Sequence, residues 1–287
     1  MITIFTPAYN RAHLLSRLYE SLEAQSCKDF EWVVVDDGSI DNTCEVIEGY
    51  ATRASFPVRY FRQENGGKHR AVNRGVKEAK GDLFFIVDSD DVLVDNAIER
   101  INYHYDVVKN DDGFAGVCGL KAYFNGEKVG GEQNFDVLHC NALDFRYKYK
   151  ITGDMSEVFK TSVMRQFPFP EYEGERFCPE AVVFNRIASR YKLRYFYEKI
   201  YLCEYLPDGL TAQIVKVRMR SPRASMDCYQ EMTKLKLPTF IRLRAAINFW
   251  RFSVCSSMPF NKKSRGMRKW IWLWPFGYAM HLNDTRL

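Results

Sequence analysis

The stretch Glu31-Trp32-Val33-Val34-Val35-Asp36-Asp37-Gly38-Ser39 decides the fold. Its apolar run lacks the alternation of a half-buried strand, so it reads as a strand covered on both faces, as in a parallel sheet. It stops on two carboxylates and a glycine turn. Ser39 or Asp41 can then cap a helix carrying Val46 and Ile47. The same rhythm runs on either side. Residues 2–6 form a short apolar strand, and Leu14, Leu15, Leu18 and Leu22 follow at helical spacing. Residues 57–61 are strand-like, 68–80 helical with Gly81 as the stop, 83–87 a buried strand and 95–108 a helix. Four β-α units in series predict an α/β fold: a mainly parallel sheet with right-handed crossovers and helices on both faces.

After residue 113 the rhythm changes. Residues 114–124 are strand-like, and Asn125-Gly126 suits a tight turn before 127–129. A short helix is expected over 142–149, strands over 158–159 and 193–196, and a helix over 180–190. From Gly209 onward the pattern is helical and basic, with Pro222, Pro238 and Pro259 as breaks.

The 287 residues are 46% hydrophobic and 27% charged, which excludes a disordered chain. The net charge of +5 hides a division. Residues 1–205 hold 26 Lys/Arg against 32 Asp/Glu, or −6, and residues 206–287 hold 15 against 4, or +11. An acidic body with a basic, aromatic tail argues against a uniformly basic nucleic-acid binder. The chain enters its first strand directly, so no signal peptide is expected. Its longest uncharged run, residues 270–283, is interrupted by Pro275 and Gly277 and is too short to span a bilayer. Eight scattered cysteines without a C-x-x-C pair predict neither zinc nor a disulfide framework, and read as reduced thiols.

In a parallel α/β sheet, ligands bind beyond the carboxyl ends of the strands. Here those ends read Thr6-Pro7-Ala8-Tyr9-Asn10-Arg11, Asp36-Asp37-Gly38-Ser39, Asn65-Gly66-Gly67-Lys68-His69-Arg70 and Asp88-Ser89-Asp90-Asp91. No glycine-rich dinucleotide turn or P-loop is present, so a nucleotide would be held by an aromatic ring and carboxylates instead. Tyr9 can lie against a base, and Asp36 or Asp37 can accept from a base N–H or ribose hydroxyls. The plainer alternative for that pair is a solvated helix-capping turn. Three carboxylates within Asp88–Asp91 repel unless a cation sits among them, and oxygen ligands without His or Cys select Mg2+ or Mn2+. An acidic helix cap is the competing reading. Lys68, after two glycines at a helix start, can contact a diphosphate or simply be solvated.

On these four motifs the chain resembles the inverting glycosyltransferases of family 2, which have the GT-A fold. The match is strong over residues 1–110, weaker over 111–205 and almost absent beyond. The resemblance implies a mixed, mainly parallel GT-A sheet flanked by helices, with a basic α-helical C-terminal extension. It implies a GT-A domain over 1–208, divided into a nucleotide-binding half (1–110) and an acceptor half (111–208), and an extension over 209–287. It implies that Pro7, Tyr9, Asn10, Arg11, Asp36, Asp37, Lys68, Asp88 and Asp90 serve a nucleotide-sugar, usually UDP-linked, and that Asp90 and Asp91 hold Mn2+ or Mg2+ on the diphosphate. An inverting enzyme also needs a general base for the acceptor hydroxyl. The family places it in a Glu-Asp pair opening a helix. Here the corresponding residues are Glu180-Ala181, a departure from the pattern, so Glu180 is the expected base, Glu175 its rival, and Asp154 an acceptor contact. A helix-start carboxylate is the bland alternative for Glu180. Asp208-Gly209 is expected to be a turn, with a lid or metal role as the alternative.

The tail interleaves Lys262, Lys263, Arg265, Arg268 and Lys269 with Phe260, Trp270, Trp272, Trp274 and Phe276. This composition suits either an anionic membrane surface or a helical appendage packing its aromatics inward. The resulting expectation is a hexosyltransferase-type enzyme of surface polysaccharide synthesis, cytoplasmic or peripheral on the inner face of the membrane. Its partners would be a nucleotide-sugar donor and a glycan or lipid-linked acceptor, with no nucleic acid. A nucleotidyltransferase that makes nucleotide-sugars is one rival, although it would need a glycine-rich basic loop where Pro7–Arg11 stands. A non-catalytic sugar- or membrane-binding module is the other.

Overall fold

A computed structural model describes residues 1–204 and 213–285. The expected Asp208-Gly209 turn and the boundary at 208/209 lie outside the described residues. The chain divides into two compact units: Met1–Pro168 with Arg186–Glu204, and Phe169–Asn185 with Tyr205–Leu287. Residues 169–185 therefore group with the tail, whereas the sequence reading put them in the α/β domain.

The first unit is built on a nine-stranded sheet. Its strands are β1 (Ile2–Ala8), β2 (Phe30–Asp36), β3 (Val58–Arg62), β4 (Leu83–Ile86), β5 (Val92–Leu93), β6 (Phe114–Tyr123), β7 (Val137–Cys140), β8 (Met155–Lys160) and β9 (Lys192–Cys203). They lie in the order β3-β2-β1-β4-β8-β6-β9-β5, with β7 also pairing β9. The first four strands are mutually parallel, as the apolar runs predicted. Every residue of β2 is buried, and the Trp32 indole donates to Thr6 Oγ1 at 3.0 Å, so even its polar atom is satisfied within the sheet. Beyond β4 the sheet becomes mixed, because β8 runs antiparallel to both β4 and β6.

Helices Leu15–Glu23, Thr43–Ala51, Lys68–Glu78 and Ala97–Asp106 follow the first strands. Each offers the sheet a buried apolar stripe, Leu15, Leu18 and Leu22 on the first and Ala71, Val72 and Val76 on the third. Gly75 lets that third helix approach β1: a methyl group there would sit 2.2 Å from the Phe5 ring.

The second unit is helical. Met226, Ala246, Phe249, Trp250, Met267 and Leu273 form its core, and the Trp250 indole donates to the Trp270 carbonyl at 2.9 Å. The tail prolines begin helices as much as they end them. Pro222 lies in the first turn of Pro222–Met232, and Pro238 and Pro259 immediately precede Thr239–Ser253 and Phe260–Arg265. A helix start needs no N–H from proline, and its fixed φ suits the position.

Candidate active site

The parallel order brings the carboxyl ends of β1, β2 and β4 to one edge of the sheet, and the loops there are bonded to one another. Asn10, in the left-handed region at φ +54, donates its amide to Ser39 Oγ at 2.8 Å and accepts from the Ile40 amide at 2.9 Å. The Ala12 amide donates to Asp41 at 3.2 Å. The loop after β1 is thus held against the loop after β2, with Tyr9 at its tip 48% exposed.

The two carboxylates ending β2 are almost fully buried, and each has a defined task. Asp36 accepts from the Ser39 amide at 2.8 Å and the Tyr60 hydroxyl at 2.6 Å. Burial first, and then the bond to Asp36, push the Tyr60 phenol far above its ordinary value, so it stays a donor. Asp37 accepts from the Gln63 amide at 2.8 Å and from the backbone amides of Gly66 and Gly67 at 2.9 and 2.7 Å. The turned backbone at Gly67, φ +96, aims its N–H at this carboxylate and starts the Lys68 helix. Neither residue is the solvated turn that was the plainer alternative. Asp36 faces into the scaffold, and Asp37 fixes the glycine loop that delivers Lys68.

Lys68 reaches Asp88, with Nζ 2.7 Å from Oδ1 and 2.9 Å from Oδ2. Burial works to raise the Asp88 pKa, but Lys68, Lys121 and Arg11 outweigh it and hold the carboxyl below its usual range. Lys68 thus pairs directly with the first aspartate of Asp88–Asp91, and the charges of Lys121 and Arg11 add to its effect from two other segments. Asp90 is half-buried in the turn beyond it. Asp91 is buried and accepts from the Tyr201 hydroxyl at 2.6 Å. Burial is the main reason its carboxyl is pushed up to about 7; the Tyr201 bond opposes this, and the charge of Asp88 adds to it. The Tyr201 hydroxyl also accepts the Asp88 amide at 3.1 Å, so one buried phenol on β9 ties both ends of the acidic turn. Lys121 on β6 lies 4.2 Å from the centre of that ring.

Among the described residues no group of three or more His, Cys, Asp or Glu side chains is arranged to hold a metal by itself. The donors still fit a hard cation that takes most of its ligands from a diphosphate and water. Asp90 is the carboxylate suited to it. Asp91, expected as its partner, has an oxygen committed to Tyr201. Asp154 is exposed on the turn before β8. Burial raises the Cys203 thiol to about 11, with the charges of Asp91, Asp154 and Asp90 adding to the rise and Lys121 opposing it.

Glu175 and Glu180 belong to the second unit. Glu175 is buried and accepts from the backbone amides of Arg223 and Ala224 at 2.7 and 2.9 Å. It caps helix Pro222–Met232, satisfying donors that a helix start leaves orphaned. Glu180, half-buried, opens helix Glu180–Ala188. Sequence reasoning missed Tyr201, Lys121 and Tyr60. The first two lie on strands far from the acidic turn in sequence, and no local pattern marks them.

Residues 3–169 match glycosyl transferase family 2. The chain belongs to that family. It is an enzyme of the glycosyltransferase type with a GT-A fold, which sets aside the nucleotidyltransferase and the non-catalytic module. Glycosyltransferase GlyG of Streptococcus pneumoniae is 33% identical over 219 residues, covering 70% of each chain. A Campylobacter jejuni enzyme named GalNAc(5)-diNAcBac-PP-undecaprenol beta-1,3-glucosyltransferase is 28% identical, covering 68% of this chain and 61% of its own. Some relatives match over only 100 residues, so that this chain spans as little as 14% of their length. The structure of Staphylococcus aureus TarS 1-349 in complex with UDP-GlcNAc superposes with a TM-score of 0.64 at 19% identity, covering 88% of this chain and 72% of that one. At that identity the likeness concerns the fold.

Proposed function

We propose that this enzyme moves a sugar from a nucleoside diphosphate donor, UDP-linked, to a hydroxyl of a glycan or lipid-linked glycan, with inversion, in surface polysaccharide synthesis. The observation that carries this reading is the Lys68–Asp88 ion pair, at 2.7 Å, at the head of the acidic turn that bears the half-buried Asp90. A diphosphate needs such positive charge, and the exposed Tyr9 on the same sheet edge offers a face for the base. Support also comes from relatives named for a lipid-linked acceptor and solved with a UDP-sugar.

Tyr9 stacks on the base, Asn10 and Pro7 shape the loop that carries it, and Asp37 holds the glycine loop so that Lys68 faces the diphosphate. Asp88 positions Lys68 and, with Asp36 behind it, keeps the edge rigid. Asp90 would hold Mn2+ or Mg2+, with Asp91 and Tyr201 steadying the turn. The bound ion supplies neutralisation of charge growing on the departing diphosphate. Glu180 takes the proton of the acceptor hydroxyl as its oxygen bonds to the anomeric carbon and the bond to the diphosphate breaks. Asp154 contacts the acceptor. Among the described residues no helix is long and apolar enough to cross a membrane, and a lipid-linked acceptor calls for a peripheral site on the inner membrane face.

A nucleotide-release assay on Asp90→Ala and Glu180→Gln tests the reading. Each substitution is expected to lower turnover at least about a hundred-fold, the low end for a lost acid–base group. Turnover unchanged in both variants would refute the site. A thermal-shift panel of nucleotide-sugars with and without Mn2+ identifies the donor by the sugar that stabilises the fold.

A further inference from the structure

Within the second unit, the segment from Phe260 to Asp284 leaves much of its apolar surface in water. Trp272 is 59% exposed, Phe276 58% and Phe260 50%. Ile271, Trp274 and Tyr278 are exposed beside them. These rings are contiguous. Phe260 meets Trp274 edge-on at 6.3 Å between centres, and Trp274 stacks on Tyr278 at 5.6 Å. Helix Trp274–Asp284 packs through Gly277, the residue it buries. A methyl group there would lie 2.4 Å from the Trp250 side chain and 2.8 Å from the Ile247 carbonyl. A helix seated on one glycine turns its aromatic and aliphatic side chains outward.

The charges around this surface have a single sign. Lys262, Arg265, Arg268 and Lys269 are exposed. Asp284 is the one acidic residue from Phe260 to the C-terminus, and Arg251 takes both its oxygens, one at 2.6 Å and the other at 2.5 Å. Exposed indoles and phenyl rings beside unopposed cations match the headgroup level of an anionic bilayer, where rings sit at the interface and cations meet lipid phosphates.

We infer that this aromatic and cationic face docks the enzyme on an anionic membrane surface, lying in the interface without crossing it. The inference deepens the lipid-linked acceptor reading and rests on it only for the use the docking serves. Each Lys or Arg near an anionic leaflet strengthens binding roughly five-fold, so losing two is expected to weaken it about twenty-five-fold.

The test is flotation of the full chain with vesicles of phosphatidylcholine and phosphatidylglycerol, compared with phosphatidylcholine alone. The wild type is expected to float with the anionic vesicles and not with the neutral ones. Arg268→Glu with Lys269→Glu, and separately Trp272→Ser with Phe276→Ser, are expected to remain at the bottom while melting like the wild type. A second measurement needs no disruptive variant. Trp32 and Trp250 are fully buried and Trp270 half-buried, so quenching of the wild-type tryptophans by brominated anionic lipid reports chiefly on the exposed Trp272 and Trp274. It is expected to fall by more than half in Trp272→Phe with Trp274→Phe, which leaves the half-buried Trp270, although that variant still floats. Wild-type protein that neither floats nor is quenched overturns the inference. So does lipid-free self-association abolished by Trp272→Ser with Phe276→Ser, which makes a second copy the occupant. Flotation requires no donor or acceptor, so an active enzyme that does not float sinks the docking alone, and a floating enzyme without turnover sinks the catalytic reading alone.

Discussion

Replacing Tyr201 by Phe removes one oxygen and leaves the ring. The ring contacts persist, with Phe85 at 6.0 Å between centres and Lys121 at 4.2 Å, so no cavity opens. Two hydrogen bonds are lost: the one donated to Asp91 at 2.6 Å and the one accepted from the Asp88 amide at 3.1 Å. A bond to a buried carboxylate is worth about 1.5–3 kcal/mol, and leaving a buried amide unpaired costs about 1 kcal/mol or more. The sum predicts a loss of about 2.5–4 kcal/mol, read as a lower urea midpoint with an unchanged slope. The acidic turn also loses its anchor at both ends, so the donor KM is expected to rise and kcat/KM to fall about ten-fold, equivalent to about 1.4 kcal/mol.

Steady-state kinetics at varied donor concentration, beside urea unfolding, measures both effects. A variant destabilised by less than about 0.5 kcal/mol, with an unchanged donor KM, would show that the phenol does not organise the turn. Tyr201→Leu is the harsher comparison, since it also discards the ring. If Phe and Leu lose donor affinity equally, the hydroxyl is the active part.

Three further outcomes follow from the same geometry. Glu31 is buried, which tends to raise its pKa, yet bonds from the Thr3 hydroxyl, the Lys80 amide and Arg59 hold the carboxyl below its usual value. Its contribution to stability is therefore present above the unfolded carboxylate pKa and lost as pH falls through the lowered folded value. Glu31→Gln should be less stable at neutral pH, with a flatter acid limb, and acid unfolding curves parallel to the wild type would contradict this. Glu175→Ala should cost about 1–2 kcal/mol through the lost cap of Pro222–Met232, whereas Glu180→Gln should stop turnover with little change in melting. Gly153→Ala sets a side chain at φ +92, with its methyl 2.1 Å from the Val129 carbonyl. A loss of about 1–3 kcal/mol is expected by thermal unfolding.

The legible part of the sequence is what short-range patterns encode. Val33, Val34 and Val35 announced a buried parallel strand because burial on both faces leaves no alternation to obscure, and β1, β2, β3 and β4 lie where their apolar runs fall. The two-residue β5, in a short Val92-Leu93-Val94 stretch right after the acidic turn, and the short β7, with an exposed His139, were not foreseen. β9 extends well past the expected 193–196 because Glu198 and Lys199 interrupt its apolar pattern. Glu198 is held there by Arg100 and His104 from a helix about a hundred residues earlier, a partnership local spacing does not express. The motif residues were found, but their division of labour depended on donors elsewhere in the chain.

That division follows from one physical rule. A carboxylate buried at a sheet edge must be met by donors, and the supply of donors decides which aspartates remain for a ligand. Asp36 meets Ser39 and Tyr60, Asp37 meets Gln63, Gly66 and Gly67, and Asp91 meets Tyr201. Asp88 is met by Lys68, a flexible cation whose ammonium has three donors to share. A diphosphate arriving beside Asp88 can therefore take part of the Lys68 contact without stranding a buried charge, because the Asp88 side chain is itself 34% exposed to water. Asp36 and Asp37, by contrast, cannot release their backbone donors without loosening the loops they hold. The edge thus combines fixed carboxylates that build it with an exchangeable ion pair at its centre, and donor binding is expected to work through the exchangeable one.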